Sequence, residues 1–175
     1  KLVEKTVCRL STRIEPDSFG NLHFSQAEGL YTPKKSGVVW NGSASGVNLS
    51  KFDIAQKEDW RRAIRRQYEL PEDAFVYGFV GRVNRDKGIN ELLAAFQSVQ
   101  QSCPGSYLML VGREEVTPSM NAALYDWAKN NPHVLFCGFT NVVEQYLAAM
   151  DVYVLPSYRG TLRISQIGMQ WILRD

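Results

Sequence analysis

The chain has 175 residues, of which 45% are apolar and 22% charged, with a formal net charge of +2. That length allows one well-buried domain but not two large ones, and the composition excludes disordered and fibrous classes. So small a positive excess gives no global field for nucleic acid, and no basic patch interleaved with stacking aromatics supplies a local one, so nucleic acid is not an expected partner.

In chain order, Lys1 to Arg13 can form a short helix, and Glu15 to Gly29 is mixed, punctuated by Pro16, Gly20 and Gly29. Residues 1–35 therefore read as the last piece of a neighbouring domain or as a linker. Val38 to Phe52 reads as a strand running into a loop rich in Gly and Ser, and Gln56 to Tyr68 as an amphipathic helix stopped near Pro71. Arg61, Arg62, Arg65 and Arg66 follow one face of that helix. A solvated face is expected, with contact to an anionic membrane surface as the alternative.

The stretch Phe75 to Phe96, FVYGFVGRVNRDKGINELLAAF, is the most informative part of the chain. It predicts an apolar strand, a polar loop carrying Gly81, Arg82, Lys87 and Gly88, and an amphipathic helix. From there strand and helix alternate. Tyr107 to Gly112 is a strand, Ser119 to Lys129 a helix after Pro118, His133 to Phe139 a strand, Val142 to Ala149 a helix and Asp151 to Ser157 a strand. Near-continuous apolar strands separated by short helices imply a parallel sheet covered on both faces, a Rossmann-like doubly wound α/β domain. Ligands of such sheets sit beyond the carboxyl ends of the strands. The positions to watch are Gly81 and Arg82, Gly112 and Arg113, Gly138 and Phe139, and Ser157 and Tyr158.

Cys8, Cys103 and Cys137 are odd in number and lack CxxC spacing, which disfavours a disulfide framework or a zinc site and points to a reducing compartment. Two glycosylation sequons, at Asn41 and Asn48, have no signal peptide to bring them into use. No run is apolar and long enough to cross a bilayer. The chain starts at Lys1 rather than at Met, which raises the expectation of a fragment. Neither GxGxxG nor P-loop spacing is present, and Gly42 to Gly46 has Ala44 where a nucleophile elbow needs serine. His23 and His133 have no evident partners for a triad or a metal, so both read as structural or surface residues.

Arg82 and Lys87 carry the chemistry. A strand that delivers cations and glycines to a helix N-terminus gathers unpaired N–H groups, a favourable dipole and positive charge in one place, which suits phosphate. If a bond to a diphosphate breaks there, the same groups stabilise the charge growing on the leaving oxygen.

Four segments, NGSASGVNLSKF (Asn41 to Phe52), VYGFVGRVNRDKGINELLAAF, SYLMLVGRE (Ser106 to Glu114) and HVLFCGFTNVVEQYLAAMDVYVLPSYR (His133 to Arg159), resemble the nucleotide-sugar-binding half of GT-B glycosyltransferases. The group they resemble is family 4, the retaining bacterial enzymes that build capsule and exopolysaccharide. The resemblance covers about Ser36 to Arg159. It implies that Arg82 and Lys87 act on the donor diphosphate as the catalytic pair, beside Gly81 and Gly88. It also implies that backbone at Val111, Gly112, Cys137 and Gly138 holds the base, and that the Ser157–Tyr158 loop meets the donor sugar. The implied substrate is a nucleoside diphosphate sugar, a UDP-sugar in the first instance, with no cofactor and no metal for the diphosphate. The implied acceptor is a glycan or a lipid-linked glycan. The implied location is the cytoplasm, with peripheral contact at the inner face of the membrane as a variant.

After Arg159 the sequence departs from that resemblance. The family continues with Glu-Gly and a second Glu that grips the ribose, whereas this chain runs Gly160-Thr161-Leu162-Arg163 and has no Glu after Glu144. Residues 160–175 are therefore expected to be an atypical tail, and the chain to be truncated at both ends and inefficient in sugar transfer on its own. A non-catalytic nucleotide-binding or interaction module is the alternative.

Overall fold

The computed structural model describes residues 2–39, 42 and 48–158. They divide into two compact units, one holding residues 2–39 and 42 and the other residues 48–158.

The first unit contains two helices, α1 (Leu2–Leu10) and α2 (Phe19–Ala27), neither with a buried residue. The sequence reading expected a short helix at α1 and none at α2. Ser18 explains the latter. It is extended at φ −159°, and its side chain accepts from the Asn21 N–H, so a serine N-cap starts a helix that the apolar pattern does not announce. A single parallel bridge joins Ile14 to Ser36. Val38 and Val39 are not in a strand, and most of the loop expected after them lies outside the described residues.

The second unit is built on four parallel strands, β1 (Phe75–Val80), β2 (Ser106–Val111), β3 (Val134–Gly138) and β4 (Val152–Tyr153), in the order β3-β2-β1-β4. Helix α3 (Lys57–Gln67) precedes β1, and α4 (Ile89–Ser102), α5 (Ala122–Asn130) and α6 (Val143–Ala149) make the crossovers. The strand order reverses at the β1–β4 junction, which is the topological switch point of the sheet. The doubly wound α/β expectation is met.

Pleating sorts the strand residues between two layers. Tyr77 and Phe79, Leu108 and Leu110, and Val134 and Phe136 pack with Ile89, Leu92, Leu93 and Phe96 of α4 and with Leu124 and Ala128 of α5. The α4 residues fall at helical spacing, so one stripe of the helix is fully occupied by the sheet. On the other face, Gly78 lies against the Met150 side chain, where a Cβ would come within 2.0 Å of the sulfur. There α6, with Tyr146, Leu147, Ala148 and Ala149 buried, packs against α3 and β1.

In this unit two boundaries differ from expectation by more than a residue, and a third difference lies in a helix face. Helix α5 begins three residues late, because Asn121 rather than Ser119 is the cap and accepts from the Leu124 N–H. Strand β4 stops at Tyr153 instead of reaching Ser157, since it pairs only with Tyr77 and Gly78 of β1 before the chain turns toward Pro156. The third concerns the basic face of α3, which is not solvated throughout. Arg61 and Arg65 both bond Asp151, at 2.6 and 2.7 Å. Arg61 reaches the Ala148 and Met150 carbonyls, and Arg65 those of Ala149 and Ala74, while Asp151 also accepts from the Val76 N–H at 2.7 Å. Two of the arginines thus tie α3 to the end of α6 and the start of β1. Burial, and then the neighbouring Arg61 charge, lower the Arg65 pKa against the pull of Asp151.

Candidate functional site

The loops beyond β1, β2 and β3 are fastened to one another by backbone hydrogen bonds. Gly81 N–H donates to the Val111 carbonyl at 2.9 Å, and Gly112 N–H to the Gly138 carbonyl at 2.8 Å. Val83 donates to Arg113 at 2.8 Å, and Glu115 back to Val83 at 3.0 Å, which extends the parallel pairing past the sheet. Gly112 is required here. At φ 147°, a Cβ would stand 1.8 Å from the Gly81 carbonyl oxygen, inside its van der Waals shell.

Past Val83 the chain makes a 3-10 turn, Arg85–Lys87, capped by the Asn84 side chain, which accepts from the Lys87 N–H at 3.2 Å. Gly88 at φ 71° then serves as the N-cap of α4. Its backbone is pressed to Pro156, and the following residues close over the turn: Tyr158 N–H and the Ser157 hydroxyl both donate to the Asp86 carbonyl, at 3.3 and 3.4 Å. The Tyr158 hydroxyl donates to Glu91 in the first turn of α4, which raises its pKa.

Two clusters of the expected residues emerge. Gly81, Val111, Gly112 and Gly138 form a continuous ridge along the carboxyl ends of three strands. Lys87, Gly88, Ser157 and Tyr158 gather at the N-terminus of α4, beside the switch point. Lys87 is a buried lysine, 6% exposed, at the start of a 14-residue helix. A lysine so enclosed is held in place, and it lies at the helix end whose dipole favours negative charge. Arg82 is half exposed and pairs with Glu115 at 2.9 Å, and the same carboxylate oxygen accepts from the Asn84 amide at 3.0 Å.

Cys137 is divided in its service. Its backbone lies in the ridge, but its thiol donates to the Leu135 carbonyl and meets Tyr68 on the α3 side of the sheet. Burial pushes that thiol up to about 11, so it is a packing group, not a nucleophile. His133 also has a structural place, with Nδ1 3.1 Å from the Ser106 carbonyl and its ring stacked on Tyr107.

Sequence reasoning missed Glu115 and the pairing of Arg113 with Phe139, whose ring lies 5.2 Å below the guanidinium. Both follow strand ends, which was the available signal. Among the described residues no group of three or more His, Cys, Asp or Glu could hold a metal ion. No helix among them is long and apolar enough to cross a membrane. A groove of about 620 Å³ beside α3 is lined by its four arginines but also by Glu58, Glu69 and Glu72, a mixed-charge wall rather than an anion site.

A buried lysine, an arginine and a helix N-terminus thus lie beside the switch point of a doubly wound sheet, the place where ligands of such sheets bind. The family can be named more closely. Residues 74–169 match the family model described as Glycosyl transferases group 1, and the chain belongs to that family. The match runs past Arg159 into the stretch expected to be atypical. The chain is 28% identical over 158 residues to the capsular polysaccharide biosynthesis glycosyltransferase CapM of Staphylococcus aureus, covering 90% of this chain and 40% of that protein. It is 33% identical over 113 residues to the putative teichuronic acid biosynthesis glycosyltransferase TuaC of Bacillus subtilis, covering 65% of this chain and 26% of that one. Among solved structures, Anabaena Alr3699/HepE in complex with UDP-glucose superposes with a TM-score of 0.73 at 19% identity, over 98% of this chain and 45% of HepE. WaaG, a glycosyltransferase of lipopolysaccharide biosynthesis, gives 0.72 at 19%, over 91% and 42%. This chain therefore spans less than half the length of these relatives.

Proposed function

We propose that this chain is the donor-binding part of a retaining glycosyltransferase and that it binds a nucleoside diphosphate sugar, first among them a UDP-sugar. The observation that carries the reading is Lys87, buried at the N-terminus of α4 beside the switch point, within the stretch that matches the family. Lys87 and Arg82 hold the diphosphate in the role that a divalent metal has elsewhere, and the N–H groups opening α4 add to their field. Backbone along Val111, Gly112, Cys137 and Gly138 receives the base, and Ser157 and Tyr158 face the sugar. HepE, of the same fold, has been seen with UDP, with UDP and glucose, and with UDP-glucose, and Starch Synthase IV of Arabidopsis thaliana with ADP, so UDP is the first nucleotide to try and ADP the next.

Transfer itself is proposed for a protein of the relatives' length. The bond from the anomeric carbon to the diphosphate oxygen breaks as the bond to the acceptor oxygen forms on the same face. The acceptor's proton passes to the leaving phosphate, and Arg82 and Lys87 take up the charge on the diphosphate. The acceptor is a glycan or lipid-linked glycan, consistent with relatives named for capsular polysaccharide, teichuronic acid and lipopolysaccharide core. The proposed location is the cytoplasm, with peripheral contact at the inner face of the membrane as a variant. Contact with that surface would draw on Arg62 and Arg66, since Arg61 and Arg65 are engaged inside the unit.

Calorimetric titration of the purified chain with UDP, GDP and ADP tests the donor reading. Saturable binding of one of them, with no uptake of the free nucleoside, is the expected result. A folded chain that binds none contradicts it.

A further inference from the structure

We propose that Glu115 sets the affinity of the diphosphate site by competing with the ligand for Arg82; the inference rests on the donor-site reading above. Arg82 Nη1 lies 2.9 Å from Glu115 Oε2, and the Asn84 amide fixes the same oxygen at 3.0 Å. The backbone hydrogen bond from Glu115 to Val83 sets the carboxylate at this spot, so it is a placed group and not a passing surface contact. Its neighbour Glu114 is engaged elsewhere, with Lys129 at 2.6 Å and with the Tyr125 hydroxyl.

A diphosphate that engages Arg82 must separate this pair or accept a carboxylate beside its own charge. Arg82 and Glu115 are 53% and 40% exposed, so water screens the pair and it opens at small cost. The competition is correspondingly soft. It weakens every anion that uses Arg82 by a similar factor, whether or not the ligand adds base and sugar contacts.

The test is calorimetric titration of UDP and of inorganic pyrophosphate into the wild-type chain, Glu115→Gln and Glu114→Gln. Both substitutions remove one negative charge, but only the first releases Arg82. Glu115→Gln is expected to bind both ligands about two- to fivefold more tightly, while Glu114→Gln matches the wild type. UDP binding that Glu115→Gln leaves unchanged or weakens overturns the inference and leaves the donor reading standing. An equal gain from Glu114→Gln also overturns it, because the effect would then be one of net charge. No uptake of UDP or pyrophosphate by folded wild type and Glu115→Gln overturns both readings.

Discussion

Gly88 and Pro156 touch backbone to backbone: a Cβ on Gly88 would lie 2.2 Å from the Pro156 carbonyl oxygen. The contact brings the N-cap of α4 against the loop that follows β4, so the two chain segments flanking the switch point are locked together where the diphosphate is proposed to sit. Gly88 is also left-handed at φ 71°. Its replacement by alanine combines about 1 kcal/mol of backbone strain with a clash that no side-chain rotation relieves. Gly88→Ala is expected to lower stability by roughly 2–4 kcal/mol in urea denaturation, and to weaken UDP binding in whatever fraction remains folded. A loss under about 0.5 kcal/mol would show that the loops adjust freely.

On the opposite face of the sheet, Gly78 and Met150 present a softer version of the same contact. The atoms that an added Cβ would meet belong to the Met150 side chain, which is flexible. Gly78→Ala should cost about 1–3 kcal/mol by overpacking, and much of that should disappear in a Met150→Ala background. Additive losses in the double-mutant cycle would count against the packing described.

Asp151 holds Arg61, Arg65 and the Val76 N–H at once. Asp151→Ala leaves two guanidinium groups facing each other and a strand N–H without its acceptor. The site is partly open to water, so a loss of about 2–3 kcal/mol is expected rather than the larger figure for a fully buried pair. Chemical denaturation checks it, and stability equal to wild type would mean that the triad is decorative.

Cys137 supplies a pH dependence. Its thiol is neutral in the folded protein up to about 11 but ionises near 9 when unfolded. Between those values the folded chain binds more protons than the unfolded one, so this contribution to stability is intact below pH 9 and declines as pH rises toward 11. Cys137→Ser should flatten that part of the stability profile. At pH 8, iodoacetamide should label the exposed Cys103 well before Cys137.

Much of the candidate site is local in sequence, which is why its residues could be proposed from there. Gly81, Arg82, Lys87 and Gly88 lie within one strand-to-helix junction, and the apolar stripe of α4 fixes where that helix begins. What escaped is what depends on distant pairing. Asp151 is 86 residues from Arg65, so the spacing of the arginines described a helix face without saying what covers it. Glu115 stands 33 residues from Arg82 and becomes its partner only once β2 lies beside β1. Helix α2 was hidden by Gly20 and a weak apolar period, and its start depends on a single serine cap. Strand β4 was overextended because apolar Val154 and Leu155 look like strand residues; they pack against the core instead.

A crystal structure of the chain with UDP would decide whether Lys87 and Arg82 hold a diphosphate at the N-terminus of α4. Phosphate oxygens are expected about 2.7–3.2 Å from Lys87 Nζ and from the Arg82 guanidinium, with the Arg82–Glu115 pair opened. UDP bound with its phosphates away from α4, or with Lys87 untouched, would contradict that placement.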